Sequence, residues 1–108
     1  MTDEPVVVEV SDDKGRTVIV LRGEIDMMSV ETIRDAIEPH LGPRQAIVID
    51  LSGVEFVDSS LMKVLAHART RVTAEGNVII RNPSRVARRV LTLLEVESIV
   101  DAIEDDES

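Results

Sequence analysis

The chain contains no cysteine, tryptophan or tyrosine, and Phe56 is its only aromatic residue. Without thiols there is no disulfide, no cysteine nucleophile and no thiolate metal site, a composition that suits a reducing cytoplasm. Without aromatics, a core has to be filled by Val, Ile, Leu, Met and Ala, which supply nearly all of the 44% hydrophobic content. No apolar run approaches the roughly 20 residues that cross a bilayer, and no signal-peptide pattern opens the chain. No Gly-rich phosphate loop, metal-ligand cluster or Ser-His-Asp arrangement is present, so neither catalysis nor a cofactor is expected. The expectation is a soluble, cytoplasmic, non-enzymatic protein whose 108 residues form one domain.

A net charge of -9 argues against nucleic-acid binding by the whole molecule. The charge is uneven. Between Lys63 and Arg89 there are seven basic residues and one acidic residue, Glu75. That stretch reads as a solvated helix face or as a partner surface. Glu104, Asp105, Asp106 and Glu107 then run together, and the tail over 104–108 reads as loose.

Hydropathy orders the elements. Val6–Val10 and Thr17–Leu21 are β-branched strands, joined by the turn residues Asp12-Asp13-Lys14-Gly15 into an antiparallel hairpin. A first helix is expected over about Ser29–Leu41, with Ile33, Ile37 and Leu41 as its stripe, Asp26 or Ser29 as its cap, and Gly42-Pro43 as its end. Ala46–Ile49 is a continuous apolar run, the pattern of a strand covered on both faces. A second helix over about Ser59–Thr73 buries Leu61, Val64, Leu65, Ala68 and Val72, leaving Lys63, His67 and Arg71 on the opposite side. Glu75-Gly76-Asn77 turns the chain into a strand over Val78–Ile80. Ser84 caps a third helix, whose stripe is Val86, Val90 and Leu94, widened by Ala87 and Leu93. Ile99–Ile103 reads as a short final helix.

Strand-helix-strand units make right-handed crossovers between parallel strands. The predicted fold is therefore α/β, a mixed sheet with an antiparallel edge hairpin, parallel strands and packed helices. Sites in such sheets gather at the carboxyl ends of the strands. Gly23-Glu24-Ile25-Asp26, Val57-Asp58-Ser59-Ser60 and Arg81-Asn82-Pro83-Ser84 are expected to converge there. The second of these sets two adjacent hydroxyls at a helix N-terminus, where free N–H groups and the dipole favour added negative charge.

Gly23-Glu24-Ile25-Asp26, Val48-Ile49-Asp50-Leu51-Ser52-Gly53-Val54, Asp58-Ser59-Ser60 and Asn82-Pro83-Ser84 with the helix after it together resemble the STAS family over about Val6–Ile103. The family is named for sulfate transporters and anti-sigma-factor antagonists. The resemblance implies a free-standing bacterial antagonist that binds an anti-sigma factor which is also a serine kinase, and so releases a sigma factor. It also implies phosphorylation at Ser59, with Ser60 the second choice, breaking the complex, and a phosphatase restoring it. Glu24, Asp26, Asp58, Ser59, Ser60, Lys63 and His67 are the expected partner-binding residues. One departure stands out. The family usually has Gly-Leu after the hydroxyls, and this chain has Leu61-Met62, with Lys63 where Gly is common. A Leu there is expected to obstruct the close approach that Gly permits.

Other readings stay open beside this one. Ser59 or Asp58 serves as a helix cap. Asp26 and Asp58 lack the further ligands a metal site needs. His40 and His67 are isolated, and His67 is an exposed helical residue. Met27 and Met28 are core filler or an adaptable contact. A STAS scaffold without phospho-switching, inside a signalling or transport assembly, is the alternative function.

Overall fold

The computed structural model describes residues 6–42, 46–72 and 76–105. Pro43, Glu75, Asp106 and Glu107 lie outside these. Strands β1 (Val7–Asp13) and β2 (Arg16–Ile25) form the antiparallel hairpin. Its two-residue loop, Lys14-Gly15, has positive φ at both positions, the primed turn that matches the twist of paired strands. Helix α1 (Val30–Ile37), strand β3 (Ala46–Val57), helix α2 (Leu61–Arg71), strand β4 (Asn77–Arg81), helix α3 (Arg85–Leu94) and strand β5 (Ala102–Glu104) follow. The five strands lie in the order β1-β2-β3-β4-β5, with every pairing after the hairpin parallel.

Each successive parallel strand is added on the same side of the last. Right-handed crossovers therefore place α1, α2 and α3 on one face of the sheet. The hydrophobic cluster agrees: it joins Ile19, Leu21, Ile47, Ile49, Leu51, Val78 and Ile80 of the strands to Ile33, Ile37, Leu61, Leu65, Ala87 and Leu91 of the helices. Val18 and Val48 alternate to the reverse face, where they are buried outside that cluster. The ion pairs Glu9–Arg22 and Asp50–Arg81 cross this reverse face. The run Ala46–Ile49 is thus buried on both sides, but helices cover only one of them.

Five sequence expectations need correction. β2 and β3 run on past Leu21 and Ile49, because two bulges let β3 carry extra residues opposite Val20–Glu24. Gly23, at φ +93°, sits at the second bulge, and Gly53 sits at the first. α1 ends at Ile37 and gives way to a turn of 3-10 helix over Glu38–His40, since Pro39 lacks the N–H the helix needs. The stripe of α3 is rotated from the expected one: Ala87 and Leu91 are buried, Val90 and Leu94 are intermediate, and Val86 and Leu93 face outward. Ile99–Ile103 is not a helix. A 3-10 turn over Val96–Ser98 leads into β5, which pairs with β4 from Ile79↔Ala102 to Arg81↔Glu104.

A further correction concerns the edge. β4 ends opposite Asp50, whereas β3 continues to Val57. The Arg81–Ser84 turn is held beside Leu51 by the Ser84 N–H bond to its carbonyl at 3.1 Å. At about 3.3 Å per residue this leaves it roughly 20 Å short of Asp58. Two turns converge at the carboxyl edge, and the third stops below them.

Candidate functional site

The two convergent turns are the exits of β2 and β3. Their strands pair from Arg16↔Ala46 to Ile25↔Val57, and the Asp58 N–H extends the ladder by donating to the Ile25 carbonyl at 3.2 Å. The exit of β2 is closed on itself. The Asp26 N–H donates to Ser29 Oγ at 2.9 Å, Ser29 Oγ–H donates to the Asp26 carbonyl at 2.9 Å, and the Ser29 N–H donates to Asp26 Oδ1 at 3.1 Å. Asp26 and Ser29 therefore share the start of α1 reciprocally.

The exit of β3 is also closed by its own carboxylate. Asp58 Oδ1 accepts the Ser60 N–H at 2.8 Å, an Asx turn that leads the chain into α2, while the N-cap position itself, Ser60, makes no side-chain capping bond. The carbonyls of Asp58 and Ser59 accept from Leu61 and Met62 at 3.1 and 3.0 Å, which winds the entry tightly. This winding separates the two hydroxyl residues. Ser59 is exposed, whereas Ser60 is 5% accessible and turned under the helix start. Ser60 does not share the outer rim with Ser59.

Leu61 is 0% accessible and belongs to the hydrophobic cluster. It points away from any docking protein, so the expected obstruction does not arise from its side chain. The residues that face outward beyond Ser59 are Lys63, which is exposed, and Met62, which is half-buried.

His67 is neither isolated nor exposed. Its side chain is 17% accessible and its Nε2 lies 2.6 Å from Glu38 Oε1. A carboxylate only accepts, so the ring carries its proton on Nε2 in this bond. Arg71 Nη2 reaches the other oxygen, Glu38 Oε2, at 2.7 Å. Glu38 thus clasps α2 to the end of α1, and His67 leaves the rim for a structural contact. A cavity of about 240 Å³ beside it is lined by Glu31, Arg34, Asp35, Glu38 and His67. His40 is exposed. Among the described residues no group of three or more His, Asp or Glu side chains is placed to hold a metal.

Of the apolar part of the rim, sequence reasoning left Met27 and Met28 open between core filler and contact and missed Phe56. Met27 and Met28 are 68% and 88% accessible, and Phe56, paired with Glu24 across the strands, is 49% accessible. Phe56 as sole aromatic was the one available signal: a large apolar residue two positions before Asp58, flanked by exposed Glu55, fits a rim better than a core. The rim therefore carries Glu24, Asp26, Met27, Met28, Phe56, Asp58 and Ser59 from two hydrogen-bonded turns. It combines exposed apolar surface with carboxylates and one exposed alcohol.

A two-layer α/β protein with an antiparallel edge hairpin, sequential parallel strands and an Asp-Ser-Ser turn at the second helix is a defined class. The chain belongs to the STAS domain family: the family model described as "Mlab, STAS domain" matches residues 8–101. It is similar to the anti-sigma-F factor antagonist RsfB of Mycobacterium tuberculosis, with 30% identity over 92 residues, 84% of this chain and 75% of the relative. It also resembles the crystal structure of an anti-sigma factor antagonist from Mycobacterium paratuberculosis, with a TM-score of 0.75 and 31% identity over 91% of this chain and 85% of the other. The unphosphorylated form of the antagonist SpoIIAA shares the fold, with a TM-score of 0.73 at 22% identity over 94% and 90% of the two chains. No helix among the described residues is long and apolar enough to cross a membrane.

Proposed function

We propose that the chain is an anti-sigma-factor antagonist, a single-domain cytoplasmic binding protein without catalytic activity. It docks an anti-sigma factor through the rim of Asp26, Met27, Met28, Phe56 and Ser59, and so releases a sigma factor. The anti-sigma factor is also a serine kinase, and its transfer of phosphate to Ser59 ends the association until a phosphatase removes it. The observation that carries this reading is the separation of the two hydroxyls: Ser59 is exposed at the rim, and Ser60 is buried beneath it. The names of the relatives support it.

The energetics favour a local block. A phosphate adds about -1.5 to -2 charges, and an anion at a helix N-terminus gains roughly 0.3–1 kcal/mol. Asp58 in the same turn and Asp26 in the adjoining one offset that gain by repulsion. The fold accommodates the dianion, and the cost falls on the interface, where it must be desolvated or meet a partner's acidic group. A coupling of about 1–3 kcal/mol changes affinity by ~5–150-fold, enough to switch binding. The departure at Leu61 gives no reason to prefer a scaffold without switching, since that side chain is in the core.

The test is incubation with the cell's anti-sigma kinases and ATP, followed by mass mapping and by binding of the modified protein. Phosphate on Ser59 with loss of binding supports the proposal. Phosphate mainly on Ser60, or unchanged affinity of the Ser59-modified protein, overturns it.

A further inference from the structure

The rotation of α3 leaves a face that the docking rim does not use. On a helix, residues three and four apart are neighbours. Val86 and Leu93 lie on one outward side, 40% and 74% accessible, with the half-buried Val90 between them. Arg85 and Arg89, four apart and both exposed, form the line beside it, and Arg89 is in turn four residues before Leu93. Arg88 lies on the far flank, where it pairs with Asp105 just beyond β5. Among the described residues the side chains of Arg85 and Arg89 have no hydrogen-bonded or ion-paired partner. A chain of net charge -9 thus sets two arginines beside an exposed leucine on a single helix, with a third, Arg88, on the next flank.

We propose that this face of α3 is a second docking surface, and that its occupant is an acidic segment of another protein that also presents an apolar side chain to Leu93. Charge complementarity selects the occupant. A carboxylate already fits the surface, because the chain's own Asp105 sits on Arg88. Extended polyanions are disfavoured by the overall negative charge. A lipid surface is disfavoured because a helix of ten residues with two well-exposed apolar side chains buries too little to hold an interface. Asp105 is a built-in competitor: it occupies one of the three cations, and a partner's acid displaces it.

This surface is independent of Ser59. The start of α3 is tied to Leu51, roughly 20 Å from the Ser59 turn along β3, so both surfaces are accessible at once.

The test uses the whole chain and a synthetic amphipathic peptide with Leu at i, i+3 and i+7 and Glu between them, mapped by amide chemical shifts. Shifts centred on Arg85, Arg89 and Leu93 are expected, weakening as salt screens the charges. Arg85→Glu with Arg89→Glu is expected to lower peptide affinity by about tenfold or more, with Leu93→Gln weakening it by a smaller factor. Asp105→Asn, which frees Arg88, is expected to strengthen it a few-fold. All of these positions are at the surface, so matched thermal midpoints establish that the variants fold. Peptide affinity indifferent to the double charge reversal overturns the proposal. So does binding to phosphatidylglycerol vesicles or duplex DNA but not to the peptide, and so does self-association of the protein that the double reversal abolishes. Ser59→Asp is expected to leave peptide binding unchanged, which separates failure here from failure at the rim.

Discussion

The Asp58 N–H donates to the Ile25 carbonyl at 3.2 Å, so the turn bearing Ser59 and the turn bearing Asp26 are joined by backbone. A dipeptide at the end of β2 and one at the end of β3 thereby become one rim. Among the described residues no side-chain hydrogen bond or ion pair reaches from one turn to the other. Each is closed by its own carboxylate, Asp26 on Ser29 and Asp58 on Ser60, and the ladder holds the pair together. Changes to a carboxylate should accordingly loosen one helix start without separating the turns.

Asp58→Ala removes the acceptor for the Ser60 N–H while leaving Ser59 in place. The expected loss is about 1 kcal/mol of stability, the usual net worth of one hydrogen bond. That corresponds to a fall of roughly 4–8 °C in Tm for a protein of this size class. Asp58→Asn keeps an acceptor and should melt near the wild type. A thermal series on the two variants checks both, and equal losses would mean that the charge, not the bond, stabilises the start of α2.

Leu61→Gly restores the residue usual in the family and is expected to be costly. Leu61 is fully buried among the residues of the hydrophobic cluster. Deleting a buried Leu to Ala costs about 2–5 kcal/mol, and Gly in a helix adds up to about 1 kcal/mol. Chemical denaturation reads the loss. Binding of the folded fraction to an anti-sigma factor should not improve, because the removed side chain faces inward.

Much of this was legible because the strongest patterns in the chain are unambiguous. The expected face of the second helix has five residues at helical spacing and no competing line, and all five are buried, four of them on α2 and Val72 on the extended residue just past its end. Lys14-Gly15 announces its turn chemically. α3 has two overlapping apolar lines, Val86-Val90-Leu93 and Ala87-Leu91-Leu94, and periodicity alone does not say which the sheet accepts. The sheet accepts the line that holds Ala87 and Leu91. β5 has three residues, too few to show a period. Gly23 and Ser52-Gly53 read as turns because bulges use the same residues that turns do. The Glu38–His67 bond joins positions 29 apart, and no local pattern encodes it.

Gly53→Ala tests the first bulge. A Cβ there would lie 2.6 Å from Arg22 Cγ and 2.9 Å from Arg22 Cδ. Arg22 crosses the backbone at this point on its way to Glu9, and its Cγ is too close to its own strand to swing clear freely. The expected cost is about 1–3 kcal/mol, as for other overpacked sites. Arg22→Ala in the same background should recover most of it, since the clash partner is gone. A denaturant midpoint measured for the two single variants and the double variant decides the point, and additive losses would exclude the clash as the cause.

Glu38 provides the last test, because one carboxylate serves two partners of different exposure. Its bond to Arg71 joins side chains that are 53% and 38% accessible, where screening and side-chain entropy reduce an ion pair to a fraction of a kcal/mol. Its bond to His67 lies deeper, with the ring 17% accessible, so water competes less well for it. Double-mutant cycles built from Glu38→Ala with Arg71→Ala, and from Glu38→Ala with His67→Ala, should therefore give unequal couplings. The Arg71 cycle is expected to read about 0.2–0.5 kcal/mol, and the His67 cycle more, about 1 kcal/mol. Raising the salt should shrink the first coupling more than the second. Equal couplings at all salt concentrations would mean that Glu38 acts by packing its methylenes between α1 and α2. In that case His67→Gln, which keeps a donor near the same place, would be no better tolerated than His67→Ala.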